Sequence, residues 1–248
     1  MASVALVCGS LISHAETEFV GLLSEVVPWT TAPVSGHGLS LRPLPAGVPI
    51  TVPQFDGRTV KYGLITLGNA TGAEIVVVVV DDDEPVVLVD ANNDRDLSND
   101  LGAVSRRREG LNLYSWYVTV RVKYAVGERV VWALYPLRIM GLRQYNGEWE
   151  FSYTGYGHRR GLIELKGETL PIALMELGTT NGCYDDLSRV LVAIDADQDG
   201  EVNLLYNSPD LFFPSEEPLQ VGENLYEVTS ISPDGSRIAL RYIGQAPP

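Results

Sequence analysis

Cysteine and histidine are scarce in this sequence, and their scarcity excludes several kinds of catalytic and metal site. The 248 residues include two cysteines, Cys8 and Cys183, and three histidines. This set supplies neither a C-x-x-C redox pair nor a zinc cluster of cysteines. The motifs Gly-x-Ser-x-Gly and His-Glu-x-x-His and the phosphate-binding loop are absent as well. The sequence therefore contains none of these motifs of serine hydrolases, zinc proteases and nucleotide-binding enzymes.

Positive charge and long apolar runs are also in short supply. There are 18 Lys and Arg residues against 32 Asp and Glu residues, which gives a formal net charge of −14. A phosphate backbone would be repelled by this balance, so nucleic acid is not expected as a partner. Cations, calcium above all, are the expected partners. No apolar run approaches the roughly 20 residues of a membrane-spanning helix, so no membrane span is expected.

Residues 1–15 match the pattern of a secretory signal peptide. An apolar run within residues 4–13 is followed by small residues at the positions that signal peptidase inspects, with cleavage expected before Glu16. The charged segment that normally precedes the apolar run is missing, so the alternative is a buried first strand. Cleavage would remove Cys8 and leave Cys183 without an intrachain disulfide partner. The pattern predicts a secreted, periplasmic or cell-surface protein.

Amphipathic helices of three turns are missing, and alternation with a period of two takes their place. The stretch "WYVTVRVKY" puts alternate apolar residues from 118 to 124 on one face and polar residues on the other, which is typical of a half-buried strand. Asn146-Gly147 predicts a tight hairpin turn with positive φ at both residues. A second hairpin is predicted at Ser-Pro-Asp-Gly, residues 232–235. Short runs of this kind predict an all-β fold of sandwich or barrel-like type, built from antiparallel hairpins.

A weak internal repeat divides the chain into two parts. Residues 62–100 and 160–203 each contain Gly-Leu-Ile near the start and end in an acidic loop that follows a Val-rich strand. Few residues are identical between the two stretches, so the match depends on the order of these features. The repeat predicts two related β lobes, which are residues 16–150, with an acidic loop at 90–100, and residues 151–248, with an acidic loop at 195–203.

The second acidic loop, "DADQDGEVN", has the residue spacing of a calcium-binding loop. Calcium takes about six to eight oxygen ligands, which alternate residues of a tight loop can supply. Gly200 stands where such loops turn sharply, and residues 190–194 are apolar and β-branched, which predicts a strand where a helical calcium hand has a helix. A further ligand must come from elsewhere, and Asp210, Asp185 and Asp186 are all candidates. The predicted ligands within the loop are Asp195, Asp197, Asp199, the backbone carbonyl of Glu201, and Asn203.

The first acidic loop, "DANNDRDLSND", repeats this spacing with one departure. Arg95 occupies the position of the turn-forming glycine, where a residue with a side chain must adopt an unfavourable positive φ. For both loops the alternative is an acidic turn, rich in Asp and Asn, that only solvates the end of a strand. The predicted ligands in this loop are Asp90, Asn92, Asp94, Asp96 and Asp100.

These loops and the C-terminal segment resemble parts of a known group of proteins. "VLVDANNDRDLSND" and "VLVAIDADQDGEVN" are similar to the strand-entered Asp-x-Asp-x-Asp-Gly calcium loops of secreted bacterial β-rich proteins. With "PLQVGENLYEVTSISPDGSRIAL", they also resemble the accessory β domain that precedes some thioredoxin-like (redoxin) domains. The resemblance covers about a third of the chain and implies an accessory role in the cell envelope or outside the cell. No C-x-x-C pair is present, so it implies no redox activity.

The hypothesis for function is a secreted or cell-surface protein that calcium stabilises and that has a binding or structural role. One alternative is a carbohydrate-active enzyme or sugar-binding module, with Trp116 and Trp149 stacked on sugar rings and Glu148 and Glu150 as a carboxylate pair. The same aromatic residues would also suit a buried core, because aromatic side chains favour strands. Another alternative is a subunit of a calcium-dependent surface assembly, with a polysaccharide or another surface protein as partner.

Overall fold

Antiparallel β-strands make up most of the structure. The computed structural model describes residues 18–28, 36–43, 49–81, 83–178, 180–204 and 208–247, and these residues contain no α-helix. The predicted signal peptide, residues 1–15, lies outside the described residues. Within the described ranges, no helix is long and apolar enough to cross a membrane.

The strands are numbered in chain order. The earlier ones are β1 (Glu18–Pro28), β2 (His37–Gly38), β3 (Arg42–Pro43), β4 (Thr59–Thr66), β5 (Glu74–Asp81), β6 (Val86–Val89), β7 (Ser105–Arg108), β8 (Leu113–Val126) and β9 (Arg129–Arg143). The later ones are β10 (Trp149–Gly155), β11 (Gly157–Leu165), β12 (Glu168–Glu176), β13 (Val190–Ile194), β14 (Leu211–Phe212), β15 (Leu219–Val221), β16 (Asn224–Ile231) and β17 (Arg237–Gln245). A 3₁₀ turn, Leu187–Arg189, precedes β13.

The strands form three antiparallel sheets, which confirms the predicted all-β class of sandwich or barrel-like type. One sheet has eight strands in the order β14-β13-β12-β11-β1-β17-β16-β15, one has five in the order β2-β10-β9-β8-β7, and one has four in the order β3-β4-β5-β6. All three sheets contribute to one core cluster, which includes Leu23 of β1, Val77 of β5 and Val120 of β8. Burial of these apolar faces stabilises the fold by roughly 25 cal/mol per Å² of apolar surface removed from water.

The long hairpin of β8 and β9 shows how the alternating sequence produces a two-faced strand. Alternate residues of β8 from 118 to 124 are buried, as predicted, and Thr119 and Arg121 between them are exposed. The two strands pair in continuous register along their whole length. The hairpin therefore has one apolar face in the core and one outer face that carries Arg121 and Lys123.

The hairpin predicted at Asn146-Gly147 is present between β9 and β10, but its turn differs from the predicted type. Gly147 has a φ of +87°, whereas Asn146 does not adopt a positive φ. The Asn146 side-chain oxygen instead accepts a hydrogen bond from the Glu148 backbone N–H at 3.0 Å. This bond closes a loop longer than two residues, as Asn side chains commonly do in turns. The turn predicted at residues 232–235 joins β16 to β17, as expected.

The strands β1 and β10 connect the two residue ranges that were predicted to form separate lobes. β1 pairs with β11 on one side and with β17 on the other, so residues of the predicted first lobe lie in the sheet of the second. The predicted boundary after residue 150 falls inside β10, which pairs with β9. The division into residues 16–150 and 151–248 stays a prediction.

Candidate metal centres

The first acidic loop begins where β6 ends, and its first carboxylate is buried. Asp90 follows Val89 directly, and its backbone N–H donates to the Val76 carbonyl oxygen of β5 at 2.9 Å. The two carboxylate oxygens of Asp90 accept hydrogen bonds from the backbone N–H groups of Asp94 and Arg95, each at 3.0 Å. The sheet therefore positions Asp90, and the loop folds around its carboxylate.

The second acidic loop repeats this arrangement after β13. Asp195 is also buried, and its oxygens accept hydrogen bonds from the N–H groups of Asp199 and Gly200, each at 3.0 Å. A further bond of 2.8 Å, from the N–H of the seventh loop residue to the carboxylate of the fifth, is present in both loops. Two stretches of different sequence therefore adopt the same local structure.

Arg95 adopts the backbone conformation that Gly200 adopts in the other loop. The φ angles are +67° at Arg95 and +89° at Gly200, both in the left-handed region. The residues two positions earlier, Asn93 and Gln198, also correspond, with φ of +60° and +61°. A residue with a side chain costs about 1–2 kcal/mol in this region. The hydrogen bond from Arg95 to the Asp90 carboxylate helps to hold it there.

A third carboxylate completes each loop, and it comes from a different place in each. In the first loop it is Asp100, which accepts a hydrogen bond from the Ala91 backbone N–H. In the second it is Asp210, which accepts one from the equivalent residue, Ala196, at 3.1 Å. Of the three residues that the sequence left open as a further ligand, Asp210 is the one that meets the loop.

Carboxylates gather in both loops. Two groups of carboxylate oxygens lie within 4.8 Å of one another, those of Asp90, Asp94 and Asp100 and those of Asp195, Asp197 and Asp210. In each group two side chains are buried and one is exposed. Like charges this close repel one another, so a cation would stabilise each group. Oxygen donors without His or Cys suit a hard cation such as calcium.

One oxygen atom distinguishes the first group from the second. Asp100 is 7% exposed, and its Oδ2 atom is buried without a hydrogen-bond partner among the described residues. Both oxygens of Asp210, in contrast, accept hydrogen bonds from backbone N–H groups, those of Ala196 and Asn203. A buried polar atom without a partner costs about 1–3 kcal/mol. The Asp100 position therefore needs a partner that the described chain does not supply.

Burial also changes the ionisation of the first group. Desolvation raises the pKa of Asp90, although hydrogen bonds from the N–H groups of Arg95 and Asp94 oppose this shift. Desolvation and the neighbouring charge of Asp90 raise the pKa of Asp100. The pKa of Asp94 is lowered, chiefly by a side-chain hydrogen bond from Asn99. Two of the three carboxylates thus lie in surroundings that disfavour their negative charge.

The other predicted ligands of the first loop make hydrogen bonds within it. Asn92 donates from its amide group to Asp94 at 3.0 Å and accepts from the Asp94 N–H at 3.0 Å. Asp96 accepts hydrogen bonds from the N–H and the hydroxyl group of Ser98. Asp96 lies outside the group of three carboxylates.

Of the other predicted ligands of the second loop, Asp199 lies outside its carboxylate group. Asp199 accepts a hydrogen bond from the Glu201 N–H. Glu201 and Asn203 line a groove beside the loop. Asp186, one of the open candidates, instead caps the 3₁₀ turn, where it accepts hydrogen bonds from Ser188. Asp185 does not belong to either carboxylate group.

Comparisons with known proteins find no relative of this chain. No protein-family model, no curated protein and no solved structure matches it. The two acidic loops, which share one geometry, are the features of the chain that point most directly to a function.

The aromatic residues proposed to stack on sugars are mostly part of the core. Trp116 is 2% exposed, so it is not accessible to a sugar ring. Trp149 is partly buried and packs against Tyr114 and Phe151, with ring centroids 5.7 and 6.3 Å apart. Trp149 nevertheless lines a surface groove together with Glu148.

Proposed function

We propose that this chain is a secreted or cell-surface β protein that binds calcium at its two acidic loops, and that the ions stabilise the fold for a binding or structural role. The observation that carries the proposal is the buried Oδ2 atom of Asp100, which has no donor among the described residues and lies in a group of three carboxylates. A cation would supply the missing partner and remove the repulsion within the group. The candidate ligands are Asp90, Asp94 and Asp100 for one ion and Asp195, Asp197 and Asp210 for the other.

Calcium suits these donors better than zinc or magnesium does. Zinc prefers Cys and His ligands, and magnesium usually keeps several waters in a near-octahedral shell. Extracellular calcium is plentiful, so sites with dissociation constants of about 10⁻⁴ to 10⁻³ M are occupied there. The resemblance to calcium loops of secreted bacterial proteins and the predicted signal peptide both support a location outside the cytoplasm.

An ion in the first loop would fasten several parts of the fold to one another. The Thr51 N–H donates to the Arg95 carbonyl oxygen, and the Leu97 N–H donates back to the Thr51 carbonyl oxygen, both at 2.9 Å. The Arg121 N–H of β8 donates to the Ala91 carbonyl oxygen at 2.7 Å. The loop thus joins β6, β8 and the segment around Thr51, and calcium bound there would stabilise all three together.

Calcium is expected to raise the melting temperature of the purified protein relative to EDTA. A ligand present at about 100 times its dissociation constant stabilises the folded state by about 2.7 kcal/mol per site. For a chain of this size, that gain corresponds to roughly 5–10 °C. Thermal melts in about 10 mM calcium, about 10 mM magnesium and EDTA would measure it, with a smaller rise expected in magnesium.

The variant Asp195→Ala/Asp197→Ala is expected to lose the part of this gain that the second loop provides. The matched control is Asp185→Ala/Glu216→Ala, which removes two exposed acids outside both carboxylate groups and should keep the full gain. Identical melts of the unaltered protein in calcium and EDTA would overturn the proposal and leave both loops as acidic turns.

Sugar binding remains a second candidate because of one groove. The groove has a volume of about 680 Å³ and lies between the third sheet and β10. Lys61 of β4 and the residues Glu148, Trp149 and Glu150 line it. Such a wall offers an aromatic surface for a sugar ring and carboxylates that accept hydrogen bonds from hydroxyl groups.

If this groove binds sugars, Trp149→Ala is expected to abolish saturable binding on a glycan array. Trp132→Ala is the matched control, since Trp132 lies on the outer face of the β8–β9 hairpin and does not line the groove. Thermal melts of both variants would check that the loss is not caused by unfolding. Absence of glycan binding by the unaltered protein would remove this candidate.

A further inference from the structure

Positive charge is concentrated in one part of the five-stranded sheet. Residues 105–143, which span β7, β8 and β9, contain eight Arg or Lys residues and two Glu residues, a net charge of +6. Arg106 and Arg143 of this range form ion pairs with Glu84 and Asp83, whereas Arg121 and Lys123 lie beside an aromatic ring. Since the whole chain carries −14, the remaining residues carry −20. A basic region on a strongly acidic protein attracts an anionic partner and determines which side of the protein faces it.

The outer face of the β8–β9 hairpin combines this charge with exposed apolar surface. Val130, Trp132 and Leu134 occupy alternate positions of β9 and are 55%, 44% and 50% exposed. Lys123 pairs across the hairpin with Trp132, and Arg121 pairs with Leu134, so all of these side chains share one face. These five residues form the hairpin patch. Contiguous exposed apolar residues on a soluble protein commonly mark an interaction site.

The two cations of the hairpin patch lie next to its aromatic ring. The Arg121 guanidinium carbon is 5.1 Å from the centroid of the Trp132 ring, and the Lys123 amino nitrogen is 6.0 Å from it. The Lys123 amino group also donates a hydrogen bond to the Thr71 carbonyl oxygen at 3.2 Å. Tryptophan favours the boundary between lipid headgroups and acyl chains, and basic side chains favour anionic headgroups. The hairpin patch therefore has both an interfacial tryptophan and basic side chains on one surface.

We propose that the hairpin patch docks this protein onto an anionic lipid surface. Trp132 and Leu134 enter the headgroup region, while Arg121 and Lys123 contact the lipid phosphates. A second copy of the chain fits less well, because a symmetric contact would place the same cations against each other. A polysaccharide fits less well too, because it would leave the aliphatic side chains of Val130 and Leu134 without an apolar environment.

The first acidic loop lies beside the patch and would influence docking through its charge. The Arg121 backbone N–H donates to the Ala91 carbonyl oxygen at 2.7 Å, and the Asn93 amide lies 3.5 Å from the Arg121 carbonyl oxygen. Carboxylates of this loop repel an anionic surface, and a bound cation would neutralise them. Calcium should therefore strengthen docking. This coupling rests on the proposed calcium function, whereas docking itself does not.

Co-sedimentation with lipid vesicles tests the proposal. The probes are vesicles of phosphatidylcholine alone and vesicles that also contain phosphatidylglycerol, at low salt, in EDTA and in calcium. We expect binding only to the anionic vesicles, and weaker binding at higher salt. Arg121→Gln/Lys123→Gln should weaken binding roughly 10–30-fold, given the usual contribution of two basic residues near an anionic surface. Trp132→Ala should weaken it as well.

Arg189→Gln/Arg237→Gln is the matched control, because it makes the same change in net charge in the 3₁₀ turn and β17, outside the basic region. Its binding should equal that of the unaltered protein, and thermal melts should show that all variants fold. Equal binding to neutral and anionic vesicles, or unchanged binding of Arg121→Gln/Lys123→Gln, would overturn the proposal. So would capture of a polysaccharide or an acidic protein by the patch without vesicle binding. If only the effect of calcium is missing, docking stands and the coupling to the loop fails.

Discussion

Asp100→Asn is expected to change stability in opposite directions with and without calcium. In EDTA the variant should be more stable than the unaltered protein by about 1 kcal/mol, because it removes a buried charge beside Asp90. In about 10 mM calcium it should be less stable by roughly 2–3 kcal/mol, because the ion loses a charged ligand. The Asn side chain has nearly the same shape and can still accept the hydrogen bond from the Ala91 N–H.

Denaturant unfolding of the variant and the unaltered protein, in EDTA and in calcium, would measure this change of sign in their stability difference. Asp96→Asn is the matched control, since it removes one negative charge from the same loop at a residue outside the carboxylate group. Its effect should be small, and of the same sign, in both buffers. A loss of stability in Asp100→Asn that was equal in EDTA and calcium would make Asp100 a structural turn residue. The calcium proposal for the first loop would then fail.

The regular part of this fold could be predicted because it depends on local alternation. The buried face of β8 follows directly from apolar residues at every second position. The turn between β11 and β12 could not be predicted in the same way. Lys166 and Gly167 form it with φ of +51° and +91°, although Asn or Asp usually precedes the glycine. The Lys166 amino group lies 3.5 Å from the Tyr242 ring centroid and 2.7 Å from the Asn224 side-chain oxygen, contacts with residues far along the chain.

For the candidate metal centres, too, the local features were predictable from the sequence and the long-range contacts were not. The spacing of the first carboxylates in each loop is local, so the sequence indicates it. The third carboxylate is not local in the second loop, because Asp210 approaches Asp195 only when the chain returns beside β13. The backbone of Asp210 is held there by the Ile194 N–H, which donates to its carbonyl oxygen at 3.0 Å. The Oδ2 atom of Asp100, which has no hydrogen-bond partner among the described residues, is buried only in the folded chain, so residue spacing in the sequence does not indicate it.

The partly buried Glu176, at the end of β12, leads to the second large expected effect, a dependence of stability on pH. Glu176 accepts hydrogen bonds on Oε1 from the backbone N–H groups of Asn181 and Gly182, at 3.1 and 2.8 Å. Its Oε2 accepts a hydrogen bond from the Tyr135 hydroxyl group of β9. Burial raises the pKa of Glu176 to about 7, and these three hydrogen bonds oppose the shift.

The groups around Glu176 are mostly buried, and most of them are uncharged at neutral pH. Burial raises the pKa of Tyr135, of Tyr124 on β8 and of Tyr184. Burial also raises the pKa of the Cys183 thiol to about 12. The buried cation Arg159 on β11 donates a hydrogen bond to the Leu134 carbonyl oxygen at 3.1 Å and lowers the pKa of Tyr184 in part. Glu176 is therefore a group in this neighbourhood that changes charge between weakly acidic and neutral pH.

The contribution of Glu176 to stability should fall as pH rises from about 4.5 to about 7, which are the ordinary and the folded-state pKa values of this residue. In this window the folded protein binds a proton that the unfolded chain has already released, so rising pH favours unfolding. Below the window both states are protonated, and above it both are ionised, so the contribution of Glu176 is constant there. A shift of this size corresponds to a loss of about 3 kcal/mol across the window.

Glu176→Gln is expected to remove this contribution, so that its stability falls less steeply with pH, and to be more stable than the unaltered protein by about 2–3 kcal/mol near pH 8. The Gln oxygen can accept from the same two backbone N–H groups, and its amide can donate to the Tyr135 oxygen, so the variant imitates protonated Glu176. Chemical denaturation at several pH values from 4 to 8, in EDTA so that calcium binding does not contribute, would measure both effects.

The control Glu164→Gln changes an exposed residue of β11 and should keep the slope of the unaltered protein. If Glu176→Gln is destabilised at every pH, the charged carboxylate stabilises the folded state and burial is not its dominant effect. If the slope of the variant equals that of the unaltered protein, Glu176 does not contribute to it and other groups release their protons in this window.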